Sequence, residues 1–192
     1  MNPTDRESSH KLNKQFAALP HGHALKILAE EHIIILSYLN RLEELANSLD
    51  PYHPLSEQYD ILKEMKELAQ TMHDVESHHK REEEILFPEI EKRGILGPPN
   101  VMRSEHETLQ LYKEGLISSA NAAIEENWNE MLGKMGFYAR GIARILRTHI
   151  KKENEVLYPA ALKVIDDPST WSTMKEESDK IGYCKFTPVT SI

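Results

Sequence analysis

The sequence predicts an all-α protein, an up-down-up-down antiparallel four-helix bundle with a polar N-terminal tail and a short C-terminal helix. Three observations carry this reading. Apolar residues recur at spacings of three and four over long stretches, as on the buried stripe of an amphipathic helix, and strand-like alternation is absent. Glycine is scarce, 8 in 192 residues, so little of the chain favours irregular backbone. The periodic stretches are joined by short connections, which makes consecutive helices antiparallel neighbours.

The first predicted helix runs over about 22–48 and closes at Asp50-Pro51 and a loop through Pro54. The second extends from about Ser56 to Arg93 and stops at Gly94, after which Gly97-Pro98-Pro99 resets the chain. A third follows at about 99–125 and a fourth at about 127–163, ending before Asp166-Asp167-Pro168. A short helix near 168–181 closes one end. The expected domains are a tail over 1–20, the bundle over 21–163 and an extension over 164–192. Pro88 and Pro159 are expected to kink or end their helices. Gly133, Gly136 and Gly141, unusual inside a helix, are expected to serve close packing.

Composition narrows the chemistry. A length of 192 residues accommodates one domain with a proper core. The longest apolar run, Ile33 to Leu36, falls far short of the roughly 20 residues a membrane span needs. No cationic-then-apolar leader is visible, so the cytoplasm is the expected compartment. A net charge of −8 with no basic stripe argues against nucleic acid. With a single cysteine, Cys184, an intramolecular disulfide and a thiolate cluster are both ruled out, so any metal chemistry must use nitrogen and oxygen. Ten histidines are available for it.

The chain contains an internal repeat. Residues 78–88 read H-H-K-R-E-E-E-I-L-F-P and residues 149–159 read H-I-K-K-E-N-E-V-L-Y-P, matching in histidine, glutamate at +4, leucine-aromatic at +8 and +9, and proline at +10. Each copy is preceded by an acidic residue and a histidine, Glu31-His32 and Glu105-His106, with His32 46 residues before His78 and His106 43 before His149. The repeating unit is a helical hairpin.

Placed on helices, these residues point inward. The first stripe reads Leu25, Leu28, His32, Ile35, Leu39, Leu42; the second Leu68, Met72, Val75, His78, Glu82, Ile85; the third Met102, His106, Leu109, Leu116; the fourth Ile142, Ile145 or Leu146, His149, Glu153, Val156. Four helices thus direct ionisable groups into the core at one depth, where each unpaired is several kcal/mol unfavourable. A bound cation partners all of them together and makes metal binding part of folding. At i and i+4 a histidine and a glutamate share one face, so two facing His-x-x-x-Glu pairs can supply two bridging carboxylates, with His32 and His106 completing a two-metal set. Imidazole and carboxylate without thiolate suit iron or manganese, with zinc and copper also chemically open. Glu83, Glu84 and Glu155 rotate off the seam and are expected at the surface, as are His53 and His79, His79 with a supporting role as the alternative; Cys184 is expected to be an idle thiol.

On these motifs residues 21–163 resemble the hemerythrin-like, HHE cation-binding family. The resemblance implies a carboxylate- and oxo- or hydroxo-bridged di-iron centre, with His32, His78, Glu82, His106, His149 and Glu153 as ligands and Glu82 and Glu153 bridging. The family's oxygen carriers use His-x-x-x-His on the third helix and His-x-x-x-x-Asp on the fourth, where this chain has Gln110 and Asn154. The twin His-x-x-x-Glu pairs are similar instead to the branch with bacterial iron–sulfur repair proteins and an iron-sensing domain. The expected function is a di-iron protein that binds, senses or reduces a small oxidant (dioxygen, nitric oxide or peroxide), with an electron-donor protein as a further partner. The alternatives are iron storage, donation, sensing or iron–sulfur repair, and a purely structural or interaction bundle.

Overall fold

The computed structural model describes residues 14–192, so most of the expected tail lies outside the described residues. Within that range the four arms form in the predicted order. The first is α1, Ala24–Ser48, whose N-cap His23 accepts from the Leu25 N–H through Nδ1. The second comprises α2, Tyr59–His73, α3, Glu76–Arg81, a π-turn over Glu82–Leu86, and α4, Phe87–Glu91. The third is α5, Gly97–Ala122, with Pro98 and Pro99 in its first turn, where no backbone N–H is needed. The fourth comprises α6, Trp128–Lys152, a π-turn over Glu153–Leu157, and α7, Tyr158–Val164. Each arm packs against the two beside it, first on second and fourth, third on second and fourth. A last helix, α8, Pro168–Ile181, is capped by Asp167, which accepts from the Ser169 and Thr170 N–H groups. No described helix is long and apolar enough to cross a membrane.

Neither proline kinks its arm by simple punctuation. Both follow a π-turn, in which the Phe87 N–H reaches Glu82 O and the Tyr158 N–H reaches Glu153 O, five residues back. The wider turn absorbs the ring that would clash with the carbonyl four residues earlier. It opens at the repeat's glutamate in each copy, and it shifts the buried face by one position. Leu86 and Leu157 therefore point inward, whereas Val156, expected on the fourth stripe, is 56% exposed. Its repeat mate Ile85 stays buried because α8 packs on the first π-turn, and among the described residues no helix of another arm packs comparably on the second. Within the last residues of the expected tail, Lys14–Ala17 makes a helical turn that buries Phe16, edge-on to Tyr158 at 6.0 Å between centroids.

Two apolar clusters fill the bundle. One joins Leu39, Leu42, Met65, Met72, Leu116, Met135 and Ile142; the other joins Phe16, Leu25, Phe87, Met102, Tyr158 and Met174. The third and fourth arms approach closely because Gly141 faces the Tyr112 ring and Gly115 faces the Tyr138 ring, leaving no room for a methyl at either. Gly133 has nothing within 4 Å of where a Cβ would lie. Thermal melts should therefore separate the two: Gly133→Ala gains about 0.5–1 kcal/mol of helix propensity, and Gly141→Ala loses about 1–3 kcal/mol to overpacking. Equal shifts for the two would contradict this packing.

Candidate metal centre

Between the two apolar clusters lies a layer of buried polar residues, and the six sequence-predicted residues meet there. His32, His78, Glu82 and Glu153 form one group, and Glu82, His106, His149 and Glu153 a second, with the offered atoms of each within 4.8 Å of one another. Each group could hold one ion, and the two share both carboxylates. All six residues are at most 4% exposed.

Their orientation comes from a surrounding ring of acceptors. The Nδ1–H of His78 donates to Glu31 Oε2 at 2.7 Å and that of His149 to Glu105 Oε2 at 2.8 Å. His106 Nδ1 donates to Glu83 Oε1 at 2.6 Å and His32 Nδ1 to Asn154 Oδ1 at 3.0 Å. These acceptors fix the tautomer, so each Nε2 presents a lone pair. The repeat pairs all of them: Glu31 with Glu105, Glu83 with Asn154. It also pairs the cations behind them, since Arg81 holds Glu31 at 2.7 Å and Lys152 holds Glu105. Glu83 was expected at the surface together with Glu84 and Glu155; it is only partly exposed and tied to His106, while the other two are exposed as expected. Asn154, noted as a departure from the carrier pattern, is the acceptor for His32.

With each Nδ1 proton committed outward, like groups face each other inside. His32 Nε2 lies 3.1 Å from His78 Nε2, and His106 Nε2 lies 2.9 Å from His149 Nε2. Two lone pairs at that separation repel unless something positive is shared between them. The carboxylates present the same problem: Glu82 Oε2 and both oxygens of Glu153 are buried with no hydrogen-bond partner among the described residues. Burial and then the Glu153 charge push the Glu82 carboxyl well above the usual range. Burial also raises Glu153, but the neighbouring His149 and His32 outweigh it and hold that carboxyl well below. Burial carries His78 down to about 4 against the pull of Glu31, so its imidazole is neutral at ordinary pH, as a ligand must be. A pair of cations with nitrogen and oxygen preference fits this donor set.

Three buried residues were not assigned to the site from the sequence. Tyr158 donates its hydroxyl to Glu82 Oε1 at 2.6 Å and stacks on His32 with 5.3 Å between centroids. The signal available was the repeat itself, in which Tyr158 stands where the other copy has Phe87. His79, expected to be exposed, is 2% exposed and stacks on His106 at 3.9 Å; burial, then the charges of His106 and Lys113, lower its pKa well below the ordinary value. Lys113 is buried in an ion pair with Glu76 beside it. The C-terminal extension reaches this layer as well, Thr187 donating to Glu31 Oε1 at 2.5 Å. Cys184 is buried and its thiol is pushed up to about 11, by burial and then by the Glu31 charge, which agrees with an unreactive thiol. His53 is exposed in the loop after α1, roughly 25 Å along that helix from His32 by helical rise, and takes no part.

Comparison with known proteins adds two findings. The family model described as the hemerythrin HHE cation binding domain matches residues 23–161. An iron–sulfur cluster repair protein of Musicola paradisiaca is 30% identical over a match that takes in 50% of this chain and 46% of that protein. The matched region is thus less than half of that relative's length.

Proposed function

Because the chain belongs to the hemerythrin HHE cation-binding family, we propose that it is a non-haem di-iron protein whose centre binds, senses or reduces a small oxidant such as dioxygen, nitric oxide or peroxide. His32 and His78 would hold one iron and His106 and His149 the other, with Glu82 and Glu153 offered to both. The observation that carries this is the set of facing Nε2 lone pairs and partnerless carboxylate oxygens, sealed from water and tolerable only around cations.

Held by these residues, ferrous iron would supply one-electron redox chemistry toward a small oxidant. The chain's own residues do the rest. Glu31, Glu105, Glu83 and Asn154 hold the imidazoles at fixed tautomer and angle, so donor geometry is set before metal arrives. The apolar clusters on either side exclude water, which strengthens every electrostatic contact inside the layer. Manganese or zinc would satisfy the same donors, so oxidation state separates the cases.

Anaerobic loading with ferrous iron should give two irons per chain, and exposure to air or nitric oxide should change the absorption spectrum. Binding of one iron, or a spectrum indifferent to both oxidants, rejects this reading. A second reading, iron donation or iron–sulfur cluster repair, draws on the similarity to the repair protein. Transfer of iron to an apo-acceptor without added oxidant would favour it.

A further inference from the structure

The two glutamates occupy equivalent places in the repeat, yet they are not presented equivalently. Glu153 offers one oxygen to each half of the layer: Oε1 lies 2.9 Å from His149 Nε2 and Oε2 lies 3.2 Å from His32 Nε2. Glu82 offers a single oxygen to both halves, Oε2 being 3.6 Å from His78 Nε2 and 3.5 Å from His106 Nε2. Its other oxygen, Oε1, is occupied by the Tyr158 hydroxyl at 2.6 Å. Glu153 correspondingly has both oxygens without a hydrogen-bond partner and Glu82 only Oε2. The cause lies in one atom. In the other copy of the repeat the ring stacked on the histidine is Phe87, 6.1 Å from His106 between centroids, and it carries no hydroxyl to hold Glu153.

We propose that Tyr158 is a positioning residue that withholds Glu82 Oε1 from the metals, so that the centre is held by one carboxylate spanning both ions with two oxygens, Glu153, and one touching both through a single oxygen, Glu82. The inference rests on the two-metal reading above. A one-oxygen bridge draws two cations closer than a two-oxygen bridge does, and it leaves coordination space on the side that Oε1 would have filled. The hydroxyl acts as a donor to carboxylate throughout and is not itself a ligand.

The test uses the iron-loaded full chain and the Tyr158→Phe variant, with metal content and the iron–iron distance from X-ray absorption as readouts. Wild type binding fewer than two irons would defeat the two-metal reading itself. Given two in wild type, Tyr158→Phe should keep two with affinity lowered by about 10–100-fold, as for loss of an outer partner, and its iron–iron distance should lengthen. An unchanged distance at full occupancy overturns the proposal. Adding Phe87→Tyr moves the hydroxyl to the other copy, where it should tether Glu153 and restore the shorter distance. Should Tyr158→Phe fail to fold or load, ferric wild type decides: two distinct sets of carboxylate stretches without a phenolate-to-iron charge-transfer band support the assignment, and such a band, or one set of stretches, overturns it.

Discussion

Replacing Glu82 with glutamine should strip the protein of metal and yet make the metal-free form more stable. In the absence of cations Glu82 and Glu153 face each other in a dry layer, and the partnerless oxygens contribute unfavourably. Glutamine keeps an oxygen for the Tyr158 hydroxyl to donate to and removes the carboxyl that burial forces to stay protonated, which relieves about 1–3 kcal/mol and raises the apoprotein melting temperature by roughly 2–4 °C per kcal/mol for a chain of this size. In the proposed two-iron centre the same change deletes an anionic donor offered to both ions, so iron affinity should fall by more than the roughly 10–100-fold that loss of an outer partner costs. The pH dependence has a definite sign. A carboxyl whose folded pKa lies above its ordinary 4.5 binds its proton more tightly when folded, so apoprotein stability falls as pH rises from 4.5 until Glu82 ionises. The advantage of Glu82→Gln over wild type should therefore widen with pH above 4.5. An apoprotein destabilised by the substitution at neutral pH would show that the layer tolerates the carboxylate pair unaided.

Glu31→Leu should have the opposite effect on stability. Glu31 is fully buried, accepts from His78, Arg81 and Thr187, and ties the first arm, the second arm and the C-terminal extension together. Removing it leaves the buried Arg81 guanidinium without its counter-ion, a loss of about 3–5 kcal/mol, and frees the His78 ring to rotate, lowering iron affinity by about 10–100-fold. Denaturant melts of the apoprotein read the first effect and competition with a chelator the second. Burial raises the Glu31 carboxyl, but His78, Arg81 and Thr187 together bring it down to about 2. Its contribution is thus complete above the unfolded value near 4.5 and is lost as pH falls from there toward about 2, a dependence the variant should lack. The repeat mate Glu105 is over a quarter exposed and paired with the partly exposed Lys152, so Glu105→Leu should cost far less.

Sequence periodicity was sufficient for the arms, because burying a stripe at spacings of three and four admits only a helix. The C-terminal helix falls at 168–181 as expected because Asp167 and Pro168 define its start chemically. Periodicity failed where the helix stopped being regular. Val156 was placed on the buried stripe by counting α-helical turns, and the π-turn before it broke that count. The outer ring around the centre was half visible: Glu31 and Glu105 stood out as the acidic neighbours of two histidines, while Glu83 looked like surface because its partner comes from another arm.

What the sequence by itself determined is the set of groups that must meet, since the matched His-x-x-x-Glu copies and their preceding histidines lie on buried stripes at one depth, where solitary charges are not tolerated. What only the tertiary structure decided is how unequal the two copies become. Covering of one π-turn by α8, sealing of Glu31 by Thr187, and the reach of the Tyr158 hydroxyl to Glu82 all depend on contacts between segments distant along the chain. Local pattern carries no information about such contacts, because it records which face a residue takes and not what arrives to meet it.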